Sequence, residues 1–125
     1  MQSMSLTIKI KQILEKEFSD IVIETKDMLT RQSIGSGKIR CFIKDGSFVD
    51  IFVSQSLRFS CHWERRALDG KIYRVDNAPN HPEISSAPWH FHYGSDSIIK
   101  PFKGSTEIGE IIKGFFNLIR SIIKE

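Results

Sequence analysis

Lys38-Ile39-Arg40-Cys41-Phe42-Ile43-Lys44-Asp45-Gly46-Ser47-Phe48-Val49-Asp50-Ile51-Phe52-Val53 holds two alternating runs around an Asp-Gly pair. Strand side chains point to opposite faces with a period of two. Ile39, Cys41 and Ile43 therefore share one face, and Lys38, Arg40 and Lys44 share the other, with Phe42 among them. Asp-Gly between apolar alternations is the strongest short hairpin signal. On the return strand, Ser47 to Ser54, Val49, Ile51 and Val53 share a face opposite Phe48 and Phe52, which predicts burial on both sides.

The pattern continues outward. Leu57 to Arg65 alternates, with Phe59, Cys61 and Trp63 inward and Arg58, Ser60, His62 and Glu64 on the other face. A second pair, Asp69-Gly70, turns into Lys71 to Asp76. Upstream, Ser19 to Thr25 reads as a short strand with Ile21 and Ile23 facing one way; residues 26–36 are ambiguous, and Gly35-Ser36-Gly37 marks a turn. Strands joined by tight turns over about residues 19–76 make an antiparallel meander of about five strands.

A helix is predicted at each end. Over about residues 5–18, Ile10, Ile13, Leu14 and Phe18 fall on one helical face, with Ser5 as cap. Over about 105–124, Ser105 or Thr106 caps a helix with Glu107 and Glu110 in its first turn, where negative charge suits the dipole. Its stripe of Ile108, Ile111, Ile112, Phe115, Ile119 and Ile122, widened by Leu118 and Ile123, predicts a helix that covers the sheet. The apolar character around Phe116 leaves a partner interface as the alternative. The fold class is α+β, one domain over residues 1–125, in the order of small microbial ribonucleases, though fold does not dictate function.

At 125 residues and 40% hydrophobic, the chain is long enough to bury a core without disulfide or metal. Its net charge of +3 permits a nucleic-acid partner without demanding one. Cys41 and Cys61 sit in strand-like runs, Lys9, Lys11 and Lys16 interrupt any signal-peptide core, and no run is long enough to span a bilayer. A cytoplasmic protein with reduced, buried thiols is expected, with no membrane association.

Residues 76–96 form the one long irregular stretch and hold three of the four histidines. Such loops are functional or disordered, and Ile84, Trp89, Phe91 and Tyr93 argue against disorder. Asp76 and Asn77 can bond backbone groups two residues on, while Pro79 and Pro82 stiffen the loop beside Glu83. His81 then comes from one arm and His90 and His92 from the other. In an extended segment His90 and His92 share a side, and Trp89, Phe91 and Tyr93 pack down on the opposite one.

Imidazole titrates near neutral pH, so it can act as acid and base. Metal-free RNA cleavage needs both roles and a cation at phosphorus. His81, His90 and His92 are the candidate catalytic groups; Arg58, Arg74, Arg40 and Lys38 are the candidate phosphate cations, and no cofactor is expected. Two other readings stand beside this one. His81, His90 and His92, with Asp76 or Glu83, could bind a metal, as in a metal-dependent phosphoesterase. Or the histidines bond structurally to the loop's own backbone.

The run Tyr73-Arg74-Val75-Asp76-Asn77-Ala78-Pro79-Asn80-His81-Pro82-Glu83, followed by Pro88-Trp89-His90-Phe91-His92, resembles the signature of TumE-type toxins of prokaryotic toxin–antitoxin systems. The motif covers about residues 61–93, and the strand order extends the likeness to about 38–102. The resemblance implies a growth-inhibiting type II toxin and an endoribonuclease acting on RNA. It also implies a cognate antitoxin with a helix-turn-helix DNA-binding domain; a dimer stays open. Three positions depart from the pattern. Asn80 replaces a common histidine, Trp89 replaces the first histidine of a Pro-His-His-x-His run, and Phe91 replaces a basic residue. The last change is expected to remove a cation from the phosphate site.

Overall fold

Two Asp-Gly turns and one arginine set the end of the sheet in a computed structural model that describes residues 2–28, 37–54, 56, 58–79, 81–102 and 104–124. The elements are α1 (Gln2–Glu17), β1 (Val22–Asp27), β2 (Gly37–Ile43), β3 (Phe48–Val53), β4 (Phe59–Arg65), α2 (Arg66–Asp69), β5 (Lys71–Asp76), β6 (His90–Tyr93), β7 (Ile99–Pro101) and α3 (Ile108–Ile123). The seven strands among the described residues form one antiparallel sheet in sequence order, so the expected α+β meander holds with two strands more than anticipated. The extra strands, β6 and β7, lie partly in the stretch read as irregular. Histidine and proline are poor strand signals, and their density hid a four-residue strand. Between β5 and β6, the described residues 77–79 and 81–89 form no strand.

The first hairpin closes through residues 44–46, with Gly46 at φ 95°. The second Asp-Gly pair works differently. Asp69 ends the short α2, and Gly70 takes the left-handed cap conformation at φ 79°. Arg65 donates to Asp45 and Asp69, binding the two turns together, and its guanidinium lies 4.6 Å over the Trp63 ring. The Trp63 indole donates to Ser47, whose hydroxyl donates to Asp45.

One sheet face is the core. Ile39, Cys41, Ile43, Val49, Ile51, Val53, Phe59, Cys61 and Trp63 are buried there, as their alternation requires. α1 contributes Ile10 and Leu14, Phe18 follows it, and α3 contributes Ile111, Ile112, Phe115, Phe116 and Ile119. Phe116 is fully buried with its ring 5.6 Å from Phe18, so it is core and is not open to a partner. Arg120 joins the helices by donating to both Asp20 oxygens and to the Glu17 carbonyl.

Four local readings change. α1 starts before Ser5, which is therefore not its cap. The α3 cap is Glu107, whose carboxylate accepts from the Glu110 amide, while Ser105 accepts from the Glu107 amide. Ile23 does not accompany Ile21 inward: the β1–β2 register shifts between Val22 and Glu24, and the bulge leaves Ile23 70% exposed. Phe48 and Phe52 are half-buried, so β3 is fully buried on one face only. The turn expected at Gly35-Ser36 and the strand start at Leu57 lie outside the described residues.

Candidate functional site

The second sheet face carries the chemistry. Antiparallel register sets residues side by side in two rows across the strands. One row is Arg40, Asp50, His62, Arg74 and His92; its neighbour is Lys38, Phe52, Ser60, Asp76 and His90. No stretch of sequence contains either row, because each residue comes from a different strand.

The connection 77–89 folds over the end of these rows and brings His81 down onto them. Asp76 accepts from the Ala78 amide, as expected for an Asx turn. Asn77 differs: its side-chain oxygen accepts from the Phe59 amide on the neighbouring strand, and so it fastens the loop to β4. The loop then turns through Ile84-to-His81, Ala87-to-Ile84 and Trp89-to-Ser86 backbone bonds. Ser86 accepts from the Phe102 amide, and the Trp89 ring packs 6.0 Å from Phe59 and 5.9 Å from Phe102. Trp89, where the resembling pattern has a histidine, is thus an anchor. Asn80 lies outside the described residues. Pro79, Pro82 and Glu83 sit in this cover, all three exposed.

Three imidazoles meet beneath it. Ring centroids are 4.9 Å apart for His81 and His90, 6.0 Å for His81 and His92, and 5.1 Å for His90 and His92. One ring nitrogen of each lies within 4.8 Å of the others, so the trio could hold a metal ion. The two arms converge, and Trp89 and Phe91 pack against the core, as expected, but the histidines are buried too and Tyr93 does not pack down. His90 is 1% exposed and His92 5%, whereas Tyr93 on the opposite side is 40% exposed.

Partners decide the tautomers. Nδ1 of His90 lies 3.0 Å from the Pro88 carbonyl, and Nδ1 of His92 lies 3.0 Å from the Asp96 carbonyl. A carbonyl only accepts, so both Nδ1 atoms carry hydrogen and donate. Both Nε2 atoms then face Asp76: His90 at 3.0 Å from Oδ1 and His92 at 3.8 Å from Oδ2. The His90 contact is close but off the hydrogen-bond axis, so this buried nitrogen has no aligned partner among the described residues. Nδ1 of His81 lies 3.2 Å from Glu83 Oε2. Burial lowers the pKa of His92, with Arg74 and His90 adding to that effect against the Asp96 carbonyl and Asp76.

The trio opens into a groove of about 790 Å³ lined also by Lys38, Asp50, Ser54, Arg58, His62 and Arg74. Arg74 donates to the Asp96 carboxylate, and its Nε is buried without a partner among the described residues. Arg58 is exposed at the rim, just before β4. Arg40 is not brought in: Asp50 takes its guanidinium in two bonds of 2.8 and 2.9 Å, and the group lies 4.0 Å over Phe48. Phe91 also needs correcting. It pairs with Val75 on the core face, under α3, so a basic residue there would not reach the groove.

Asp50 and Asp96 were not foreseen. The Gly94-Ser95-Asp96 turn was the available signal for Asp96. Nothing local signals Asp50, whose role arises from its register.

A family model described as Toxin TumE matches residues 10–123, from within α1 to the end of α3. The chain belongs to the TumE toxin family. The match extends the likeness beyond the histidine loop to both helices, so the whole α+β frame is the family's unit. Membership makes this TumE chain a toxin, with an antitoxin as its general counterpart. Neither the curated proteins nor the solved structures compared with it give a match. No helix among the described residues of this TumE chain is long and apolar enough to cross a membrane.

Proposed function

We propose that this toxin acts on RNA in the cytoplasm as an endoribonuclease whose reacting groups are the clustered imidazoles. One juxtaposition carries the reading: three histidine rings and a carboxylate meet in a groove rimmed by Lys38, Arg58 and Arg74. Attack by a 2′-hydroxyl needs a base for its proton, an acid for the departing 5′ oxygen, and cations for the charge on phosphorus. His92 suits the base, because burial disfavours its protonated form. His81 suits the acid: it is the least buried of the three, and Glu83, 3.2 Å from Nδ1, orients the ring. His90 is a positioning residue, fastened between the Pro88 carbonyl and Asp76. Arg74 and Arg58 take the phosphate, and this reaction requires no metal. The partner is a cognate antitoxin with a helix-turn-helix DNA-binding domain, in a type II arrangement.

The test uses metal-stripped protein and end-labelled single-stranded RNA in EDTA. Wild type cleaves; His81→Ala and His92→Gln each slow cleavage by about 10²–10⁴-fold. His81→Ala changes a half-buried loop residue, so its melting curve stays near that of wild type. Undiminished cleavage in both variants rejects the assignment. The deep burial of His90 and His92 favours a second reading, a non-catalytic RNA-binding module. Saturable binding to wild type, with no product on a gel, would select that reading instead.

A further inference from the structure

We infer that His81, His90, His92 and Asp76 form a site for one divalent transition-metal ion of the zinc class. The argument starts from hydrogen bonding. Backbone carbonyls take the Nδ1 hydrogens of His90 and His92. Their Nε2 lone pairs are therefore left beside the Asp76 carboxylate, acceptor near acceptor, at 3.0 and 3.8 Å. His90 Nε2 is buried there with no aligned partner among the described residues. Such an arrangement calls for a cation between the groups. Protons on all three rings would set like charges against one another at centroid spacings of 4.9–6.0 Å. One ion satisfies every lone pair together.

The surroundings agree. Imidazoles that bind metal donate their other N–H to a carbonyl or carboxylate, which orients the ring and raises its basicity. All three rings do so here: to Pro88, to Asp96 and to Glu83. Three imidazoles and a carboxylate suit zinc, cobalt or nickel and do not suit magnesium or calcium. One ring nitrogen of each histidine lies within 4.8 Å of the others. Metal–nitrogen bonds of about 2.0–2.1 Å in a tetrahedron put them about 3.4 Å apart. The closure needed is small, and His81 is carried on a connection between strands. A groove one side of which is open leaves room for water or a phosphate oxygen on the ion.

A nitrogen on the ion cannot accept or return a proton. Loading therefore switches off the metal-free reaction, a consequence that rests on the proposed acid–base roles. The binding itself does not depend on them.

The experiment titrates metal-stripped full-length protein with Co²⁺ while visible d–d absorption is followed, then displaces it with Zn²⁺. One equivalent should bind, with an intense low-coordinate spectrum. Losing an outer-shell partner alone costs 10–100-fold in affinity, so His81→Ala should cost at least about 100-fold. Asp76→Asn keeps an acceptor for the Ala78 amide and should also weaken binding. Asp20→Asn, which alters a carboxylate outside the groove lining, should bind as wild type. Circular dichroism melts confirm that each variant is folded. No saturable binding, or binding indifferent to His81→Ala and Asp76→Asn, overturns the metal site and leaves the ribonuclease reading intact. Tight binding with cleavage unchanged or accelerated by Zn²⁺ keeps the site and overturns the acid–base assignment.

Discussion

Asp76 does three things with one carboxylate. It closes a turn through the Ala78 amide, it stands against His90, and it faces His92. A residue that organises the loop and also belongs to the reacting cluster couples the shape of the cover to the chemistry beneath it. The cysteines illustrate the opposite case. Burial pushes the Cys41 thiol up to about 12, with Asp50 adding, and also raises the Cys61 thiol well above its usual value. Thiolate is the reactive form, so neither should react in the folded protein. Ellman's reagent at pH 8 should leave both thiols unmodified, then titrate two on adding denaturant. Rapid modification of the native protein would contradict their burial.

Among the elements, α3 buries one face in the core that covers the sheet. Five of its large side chains are buried, and Phe116 sits against Phe18 of the opposing segment. Truncating a buried Phe removes its transfer energy and leaves a cavity. Phe116→Ala should therefore cost about 3–5 kcal/mol in a urea-unfolding curve, with wild-type slope. Leu118, which lines a cavity beside β7 and is only half-buried, should cost distinctly less when changed to Ala. Equal losses at the two positions would mean that α3 lies in a different rotation on the sheet. β6 belongs to this scale as well. Its pairing with β5 turns a loop-like His-x-His into two registered positions, opposite Arg74 and Asp76.

For the molecule as a whole, several carboxylates are held in their charged form by the fold. Arg66 draws Glu64 down to about 2 against the effect of burial, with His62 helping. Arg120 lowers Asp20. Burial opposes the shift at Asp45, but Ser47 and Arg65 outweigh it; at Asp69, Arg65 and the Lys71 amide do the same. A folded-state pKa below the unfolded one adds stability above the unfolded value, and that stability is lost as pH falls through the folded value. Melting temperature should therefore drop progressively from about pH 4.5 to about pH 2. Arg66→Ala should flatten the Glu64 part of that decline. A melting temperature unchanged across this window would show that these pairs contribute nothing to folding.

Periodicity and turn chemistry determined the α+β meander, its inward residues and its two helices, since a period of two or 3.6 is a local property of the chain. The string around His81 and the His90/His92 spacing likewise marked the family and the three imidazoles. What remained hidden depends on partners distant in sequence. Ile23 turned outward because of a register shift against β2, and Arg40 was withdrawn from the groove by Asp50 across a strand pair. The burial of the histidines, their tautomers and their approach to Asp76 arise only when residues 77–89 close over the sheet. Hydrogen-bond direction and desolvation are set by atoms that meet in space, and pattern along the chain carries no record of which atoms those are.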